Sequence, residues 1–115
     1  MKIFLIDDDK LSIFLSQSML ALEGLTQGMK IFASAEEALE ALRSGEDDAL
    51  PDLIFLDLNM PTMDGWDFLD ALASGQLHLK IRDRCRIYIL SSSLDVSDTL
   101  RVKEYLFVSG LIHKP

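Results

Sequence analysis

The sequence predicts an α/β domain with a doubly wound, five-stranded parallel sheet and helices on both faces. Short apolar runs alternate with amphipathic helical patterns in the order β-α-β-α-β-α-β-α-β. A helix between successive strands indicates parallel pairing, because parallel neighbours require crossover connections. The chain of 115 residues fits one domain, residues 1–115, with enough apolar side chains to close a core.

The first half of the chain supplies two strands and two helices. Residues 2–6 are an apolar strand, and Asp9 is placed to cap the helix that follows. That helix is predicted from apolar residues that recur near a helical period before Gly24, namely Leu11, Phe14, Leu15, Met19 and Leu22. A second strand covers 29–33, and a capping-box sequence at 34–37 predicts the next helix.

The third strand, 53–57, is the most confined of the chain. Four large apolar residues before Asp57 indicate burial on both faces, and Pro51 and Pro61 bound the run. An ionisable carboxylate at the end of such a strand needs water, a partner charge or a metal, because an uncompensated buried charge is strongly unfavourable. Asp57 therefore predicts a functional site.

The second half completes the alternation. A capping-box sequence at 64–67 predicts the third helix. The stretch 76–84 shows no clear period and is interpreted as a loop. A fourth strand at 87–90, a helix at about 95–107 and a fifth strand at 110–113 follow.

Composition excludes several classes of function. The formal charge of -8 makes direct binding to nucleic acid or to an anionic membrane unfavourable. No apolar stretch reaches the roughly 18 residues that a bilayer span requires. The single cysteine, Cys85, allows no internal disulfide, which favours a reducing compartment and predicts a soluble, cytoplasmic protein.

Polar side chains follow four of the predicted strands at their carboxyl ends. Asp7 and Asp8 follow the first strand, Asp57 ends the third, Ser91 follows the fourth and Lys114 follows the fifth. In the strand order 2-1-3-4-5 these ends meet at the edge where open α/β sheets bind ligands. Each residue alone has an ordinary explanation as a cap, a turn residue or a solvated lysine, but their joint placement indicates a site.

The charges at this edge favour a cation and a phosphoryl group. Two like charges about 4 Å apart repel by about 4 kcal/mol at an effective dielectric of about 20, so three carboxylates require compensation. Carboxylates with water and a backbone carbonyl suit Mg²⁺. With Mg²⁺ and Lys114 to neutralise a phosphoryl group, Asp57 is the candidate nucleophile for an acyl phosphate, and the Ser91 hydroxyl can bond a phosphoryl oxygen.

In order and spacing, these residues closely resemble the receiver domain of two-component response regulators, which has a flavodoxin-like, CheY-like fold. The matching segments are Ile6-Asp7-Asp8, Leu56-Asp57-Leu58-Asn59-Met60-Pro61, Met63-Asp64-Gly65, Leu90-Ser91-Ser92 and Lys114-Pro115. The resemblance implies that Asp57 is the phosphoacceptor, supplied by a sensor histidine kinase or a histidine phosphotransfer protein. It also implies that Ser91 is the switch hydroxyl and that Lys114 contacts the phosphoryl group.

The resemblance further implies a Mg²⁺ site around the phosphoacceptor. Asp8 would ligate the ion directly, Asp7 would hold it mainly through water, and Asn59 would offer its backbone carbonyl beside the Asp57 carboxylate. The protein so implied is a signalling domain and not an enzyme in the usual sense. Its only reactions would be self-phosphotransfer and autodephosphorylation.

Some features depart from the family pattern. Leu111 holds the position of the family's switch aromatic, so readout by loop movement is expected. The family's fifth helix, which follows the last strand, has no counterpart in the 115 residues, so we expect four helices and a bare apolar flank on the fifth strand. The stretch 76–86 is longer than the family's usual link. Asn59 and Ser93 are expected to govern water access to the phosphoryl group.

Other functions are weighed against this one. A degenerate receiver would act as a docking module, but the acidic set is complete. An aspartyl-phosphate phosphatase of the haloacid-dehalogenase type would carry an acid at the position of Asn59. A flavin-binding module of the flavodoxin type would share the strand order, but the aspartates at 7–9 would repel the phosphate of a flavin. The sequence does not identify the kinase or the downstream target protein, and it does not decide whether the protein forms a homodimer.

Overall fold

The computed structural model describes residues 1–24, 28–45, 50–60, 62–75, 77–81, 84–92 and 95–114. These residues form the strands β1 (Ile3–Ile6), β2 (Met29–Phe32), β3 (Leu53–Asp57), β4 (Arg86–Ser91) and β5 (Val108–His113). They also form the helices α1 (Lys10–Leu22), α2 (Ala35–Ser44), α3 (Gly65–Ser74), α4 (Leu77–Ile81) and α5 (Val96–Val102). All neighbouring strands pair in parallel in the order β2-β1-β3-β4-β5, which confirms the predicted sheet.

Helices cover both faces of this sheet. One apolar core packs α2, α3, α4 and Val102 of α5 against one face. On the other face, Leu20 of α1 packs with Ile3 and Leu5 of β1, Phe55 of β3 and Leu90 of β4. The central strands β1 and β3 are therefore buried on both sides, as their continuous apolar runs predict.

The pairing register brings the carboxyl ends of the strands to one edge. Ile6 is paired with Leu56. Asp7, the residue after β1, and Asp57, the last residue of β3, therefore lie at the same edge of the sheet. Asp57 is paired with Leu90, which places Ser91 one residue further along β4. Ser91 is in turn paired with the last residue of β5, before Lys114.

The predicted helix caps are confirmed. Asp9 accepts a hydrogen bond from the backbone N–H of Leu11, and Ser34 accepts one from Glu37. Asp64 and Asp67 form a reciprocal capping box at the start of α3. These side chains satisfy N–H groups that a helix start leaves without partners, which is why the helices begin at these positions.

The interpretation of 76–84 as a loop is wrong where residues 77–81 form α4, so the described chain has five helices and not the expected four. Leu77 and Ile81 lie one turn apart and are buried in the core. Lys80 donates from Nζ to the carbonyl oxygens of Leu42 and Gly45 at 3.0 and 2.8 Å, at the end of α2. Tertiary contacts thus stabilise a helix too short to show a period.

Other boundaries differ less. The helix predicted at 95–107 ends at Val102, and residues 103–107 form turns before β5. The fifth strand begins at Val108 and not at 110, because the pairing with β4 contains an irregularity beside Ile87 and Tyr88. Pro61 and Ser93 lie outside the described residues.

The apolar pattern of α1 predicts the helix but not its buried face. Leu11, Phe14 and Leu22 are 64%, 63% and 89% exposed, whereas Ser16 and Leu20 are buried. Ile112 of the neighbouring β5 is only half-buried. Among the described residues, α1 thus presents exposed apolar side chains, whereas Leu111 and Ile112 of β5 pack partly buried against the cores, and the bare flank expected for β5 stays a prediction.

Gly65 is a position where the fold requires glycine. A Cβ atom there would lie 2.7 Å from the carbonyl oxygen of Asp57 and 2.8 Å from the Cα of Leu58. The backbone N–H of Gly65 also donates to the carbonyl oxygen of Leu58 at 3.0 Å. The start of α3 is therefore packed directly against the end of β3.

We expect Gly65→Ala to lower the free energy of unfolding by about 1–3 kcal/mol, because the added methyl group overpacks the strand end. Helix propensity alone predicts the opposite, a gain of about 1 kcal/mol. Gly110→Ala is the matched control, since its Cβ would lie 3.7 Å from the Tyr88 ring. Urea denaturation measures both variants. A Gly65→Ala protein as stable as wild type would contradict the close packing.

Candidate functional site

The predicted site residues come together at the carboxyl edge of the sheet. Asp7 and Asp57 are 0% and 4% exposed, and Ser91 is also buried. Asp8 is exposed beside them. Buried carboxylates are rare without a partner charge or a metal, so their surroundings indicate what the site can do.

Lys114 is the partner charge. Its Nζ atom lies 3.0 Å from Oδ1 of Asp57 and 3.2 Å from Oδ2 of Asp7. The same Nζ donates to Oγ of Ser12 at 2.5 Å. Three acceptors thus surround an ammonium group that has three N–H bonds to donate.

Asp7 has protein donors on both of its carboxylate oxygens. Oδ1 accepts from the backbone N–H of Asp9 at 3.1 Å. Oδ2 accepts from Oγ of Ser12 at 2.5 Å in addition to Lys114. These bonds fix the Asp7 side chain in its buried position.

Three carboxylates are close enough to share one cation. Asp7, Asp8 and Asp57 each offer an oxygen atom, and these atoms lie within 4.8 Å of one another. With the one ammonium of Lys114 among them, the cluster carries an excess of negative charge. All the side-chain donors are hard oxygen atoms, and such a set fits Mg²⁺ with water completing its shell.

The excess charge also affects proton binding. Burial raises the pKa of Asp57 from its ordinary value of 3.8 to about 6, against the hydrogen bond from Lys114 and with the help of the Asp7 charge. Burial would lower the pKa of Lys114, but the hydrogen bond and charge of Asp57, with those of Asp7, outweigh it and raise this pKa. Both directions follow from two buried carboxylates that share one ammonium.

Sequence reasoning did not identify Ser12 as a site residue. It lies in the first turn of α1, three residues after the cap Asp9, and this turn faces the carboxyl edge. A serine in a helix has no charge and no motif to single it out. The available signal is its position, since the first turn after a strand-end acid lies over the same edge.

A second group of side chains connects α3 to α5. The guanidinium of Arg101 lies 4.2 Å from the centre of the Trp66 ring, and Tyr105 stacks on Trp66 at 5.9 Å. The Tyr105 hydroxyl donates to Oδ1 of Asp70 at 2.7 Å. Leu111, at the position of the family's switch aromatic, packs partly buried against the same core. Trp66 thus packs between α3 and the end of α5.

Cys85 takes no part in the site. It is buried at the start of β4, and burial, with the charge of Asp52, raises the pKa of its thiol to about 12. A thiol with so high a pKa forms little of the reactive thiolate at neutral pH.

The pKa of Asp57 predicts a pH dependence of stability. In the folded state the carboxyl group keeps its proton up to about pH 6, while the unfolded chain loses it near 3.8, so stability falls as pH rises through this window. Two pKa units correspond to about 3 kcal/mol. We expect the stability of Asp57→Asn relative to wild type to increase by up to this amount between about pH 4 and about pH 7.

Urea denaturation in buffer with a chelator, compared at both pH values, measures this difference, and titrating groups distant from Asp57 cancel in it. Asp52→Asn, at the opposite end of β3 and exposed, should show no such trend. A difference between wild type and Asp57→Asn that is flat, or that falls with pH, would contradict the buried charge excess.

Comparison with known proteins identifies the family of the chain. The sequence profile described as the response regulator receiver domain matches residues 3–115. No match was found among curated proteins. Among the described residues, no helix combines the length and apolar character needed to span a bilayer.

Solved structures agree with the profile. A response regulator receiver protein from Dyadobacter fermentans is 34% identical with a TM-score of 0.81, and the match covers 99% of this chain and 86% of that one. The phosphorylated cyanobacterial phytochrome response regulator RcpA is 32% identical with a TM-score of 0.76, covering 99% of this chain and 80% of that one. A two-component response regulator from Cytophaga hutchinsonii is 26% identical with a TM-score of 0.82, at 99% and 85% coverage. The chain therefore belongs to the response regulator receiver domain family of two-component systems.

Proposed function

We propose that Asp57 accepts a phosphoryl group from a phosphohistidine on a sensor histidine kinase or a histidine phosphotransfer protein, in a Mg²⁺-dependent reaction. The observation that carries this proposal is the ammonium of Lys114 between the buried carboxylates of Asp57 and Asp7, at 3.0 and 3.2 Å, in a cluster with negative charge in excess. Such a site attracts a divalent cation and, with it, a phosphoryl group. The phosphorylated domain then changes its contacts with a downstream protein.

The residues have distinct roles in this reaction. Asp8 and Asp57, with the backbone carbonyl of Asn59, would hold Mg²⁺, and Asp7 would reach it through water because its own oxygens already have protein donors. When bound at these residues, Mg²⁺ would supply positive charge against the phosphoryl oxygens and help to align the group with its acceptor. An oxygen of Asp57 forms the new bond to phosphorus while the phosphorus–nitrogen bond breaks. The departing imidazole keeps the electron pair and then takes up a proton.

Lys114 and Ser91 act on the transferred group. Once Asp57 carries the phosphoryl group, the Lys114 ammonium turns from the carboxylate to a phosphoryl oxygen, a charge-assisted hydrogen bond. The hydroxyl of Ser91, one residue beyond the register partner of Asp57, bonds another phosphoryl oxygen. A shift of Ser91 toward this oxygen would begin the readout.

The rival functions have less support. A docking module without phosphorylation does not require two buried carboxylates and their shared ammonium, an arrangement that is unfavourable unless it is used. A phosphatase of the haloacid-dehalogenase type needs a second acid two residues after the nucleophile, and this chain has the amide Asn59 at that position. The three aspartates at 7–9 disfavour the phosphate of a flavin.

Incubation with acetyl phosphate and Mg²⁺ tests the phosphoacceptor. We expect intact-mass spectrometry to show the addition of one phosphoryl group to the wild-type protein and none to Asp57→Ala, which lacks the nucleophile. Asp52→Asn is the matched control, because it changes an exposed carboxylate at the other end of the same strand. Uptake by Asp57→Ala would reject the assignment. Loss of uptake in a chelator measures the requirement for Mg²⁺.

The contact between α3 and α5 offers a test of the readout. Trp66 is the only tryptophan, so its fluorescence reports on Arg101 and Tyr105. We expect Mg²⁺ with beryllofluoride, a phosphoryl mimic, to shift the Trp66 emission as α5 moves. Arg101→Gln should remove most of the shift, because the cation stacked on the ring contributes about 1 kcal/mol to this contact.

Two controls define that experiment. Asp57→Ala should show no shift, and Lys103→Gln, an exposed substitution at the end of α5, should behave like wild type. Binding of beryllofluoride is monitored separately by the rise in melting temperature. A wild-type protein that is stabilised by the mimic without any change in Trp66 emission would contradict a readout through this contact.

A further inference from the structure

Ser12 bridges the carboxylate of Asp7 and the ammonium of Lys114. Its hydroxyl donates to Oδ2 of Asp7 at 2.5 Å and accepts from Nζ of Lys114 at 2.5 Å. A serine hydroxyl has one proton to donate and lone pairs to accept with, so both bonds form at the same time. Ser12 therefore connects α1 to the end of β1 and to the residue after β5.

Ser12 is also the neutral acceptor among the three that surround the Lys114 ammonium. The other two, Asp7 and Asp57, are carboxylates at the ends of neighbouring strands. Two carboxylates alone would draw the ammonium to the position of lowest Coulomb energy between them. The Ser12 hydroxyl adds a third, directional contact from the helix side and so fixes the orientation of the ammonium.

The three contacts respond differently to phosphorylation. The contact with Asp57 must change, because the phosphoryl group is placed on that carboxylate. The contacts with Asp7 and Ser12 involve no atom of the acceptor, so they can persist. Ser12 would then keep the ammonium near the new phosphoryl oxygens with little reorganisation, which is how preorganised groups favour binding.

We propose that Ser12 is a positioning residue that holds the Lys114 ammonium ready to contact the phosphoryl group on Asp57. This inference rests on the proposed phosphoacceptor function. It assigns Ser12 a larger effect on the phosphoryl group than on the cation, because Ser12 bonds the Lys114 ammonium directly and is connected to the cation only through Asp7, which would hold it through water.

The surroundings of Ser12 provide a conservative variant. Ser12 lies beside a cavity of about 190 Å³ that Leu11, Leu15 and Ser16 also line. Ser12→Thr can place its added methyl group in this space and keep the hydroxyl. Ser12→Ala removes the hydroxyl alone. Ser18→Ala is the matched control, because Ser18 is exposed on the same helix and bonds only the carbonyl oxygen of Phe14.

The first experiment titrates beryllofluoride at saturating Mg²⁺ and follows the melting temperature. We expect Ser12→Ala to bind the mimic about tenfold more weakly than wild type, the effect of losing one hydrogen bond to a charged group. Its Mg²⁺ affinity, measured by calorimetry, should change less than about twofold, the sensitivity expected of a residue that does not contact the ion. Ser12→Thr should restore binding of the mimic, and Ser18→Ala should match wild type.

A second measurement does not depend on phosphoryl chemistry. In the unliganded protein, the ε-methylene NMR resonances of Lys114 should shift in Ser12→Ala and return in Ser12→Thr, because the hydroxyl fixes the ammonium. Equal affinity of Ser12→Ala and wild type for beryllofluoride would overturn the proposal, and so would a failure of Ser12→Thr to restore it. If wild type itself binds no mimic and takes up no phosphoryl group, the proposed function fails, whereas unchanged Lys114 resonances in Ser12→Ala reject the positioning role alone.

Discussion

The carboxyl edge of this domain depends on one ammonium group held between two buried carboxylates. Lys114 lies 3.0 Å from Asp57 and 3.2 Å from Asp7, and so links the end of β5 to the ends of β3 and β1 across the sheet. Either carboxylate without this partner would carry a large desolvation penalty. The strand register that brings these three ends together is therefore also the condition under which the acids can be buried.

The same interaction leaves the site short of positive charge. One ammonium cannot neutralise two buried carboxylates and the exposed Asp8 beside them. Burial, aided by the charge of Asp7, therefore raises the pKa of Asp57 in spite of the hydrogen bond from Lys114. The unliganded domain thus contains a source of instability that a bound cation would relieve. Local conflicts of this kind are expected at functional sites, because the stability they cost is offset by the rest of the fold.

The sequence predicts those parts of this arrangement that depend on period and on charge. Apolar runs give the strands, and Asp57 stands out because a carboxylate ends a strand whose other residues are all apolar. Ser12 could not be predicted, since a neutral hydroxyl in a helix gains meaning only from the two groups it contacts. The helix α4 was missed because five residues show no period and its anchor, Lys80, bonds a distant helix end. The exposed apolar side chains of α1 show the same limit of the sequence pattern. A helical period of apolar residues predicts a helix, but it does not predict which of those residues other elements will bury.

The position of Leu111 bears on how a change at Asp57 could reach the surface. A branched aliphatic side chain packed on the core has no ring or hydroxyl that could turn between two partners. The rings of Trp66, Tyr105 and Phe107 pack partly buried against the same core and contact one another between α3 and the turn after α5. Because Gly65 packs α3 directly against the end of β3, a displacement at Asp57 reaches Trp66 through one residue of backbone. The close packing of Gly65 therefore gives a short structural connection from Asp57 to the ring of Trp66 and the cation stacked on it.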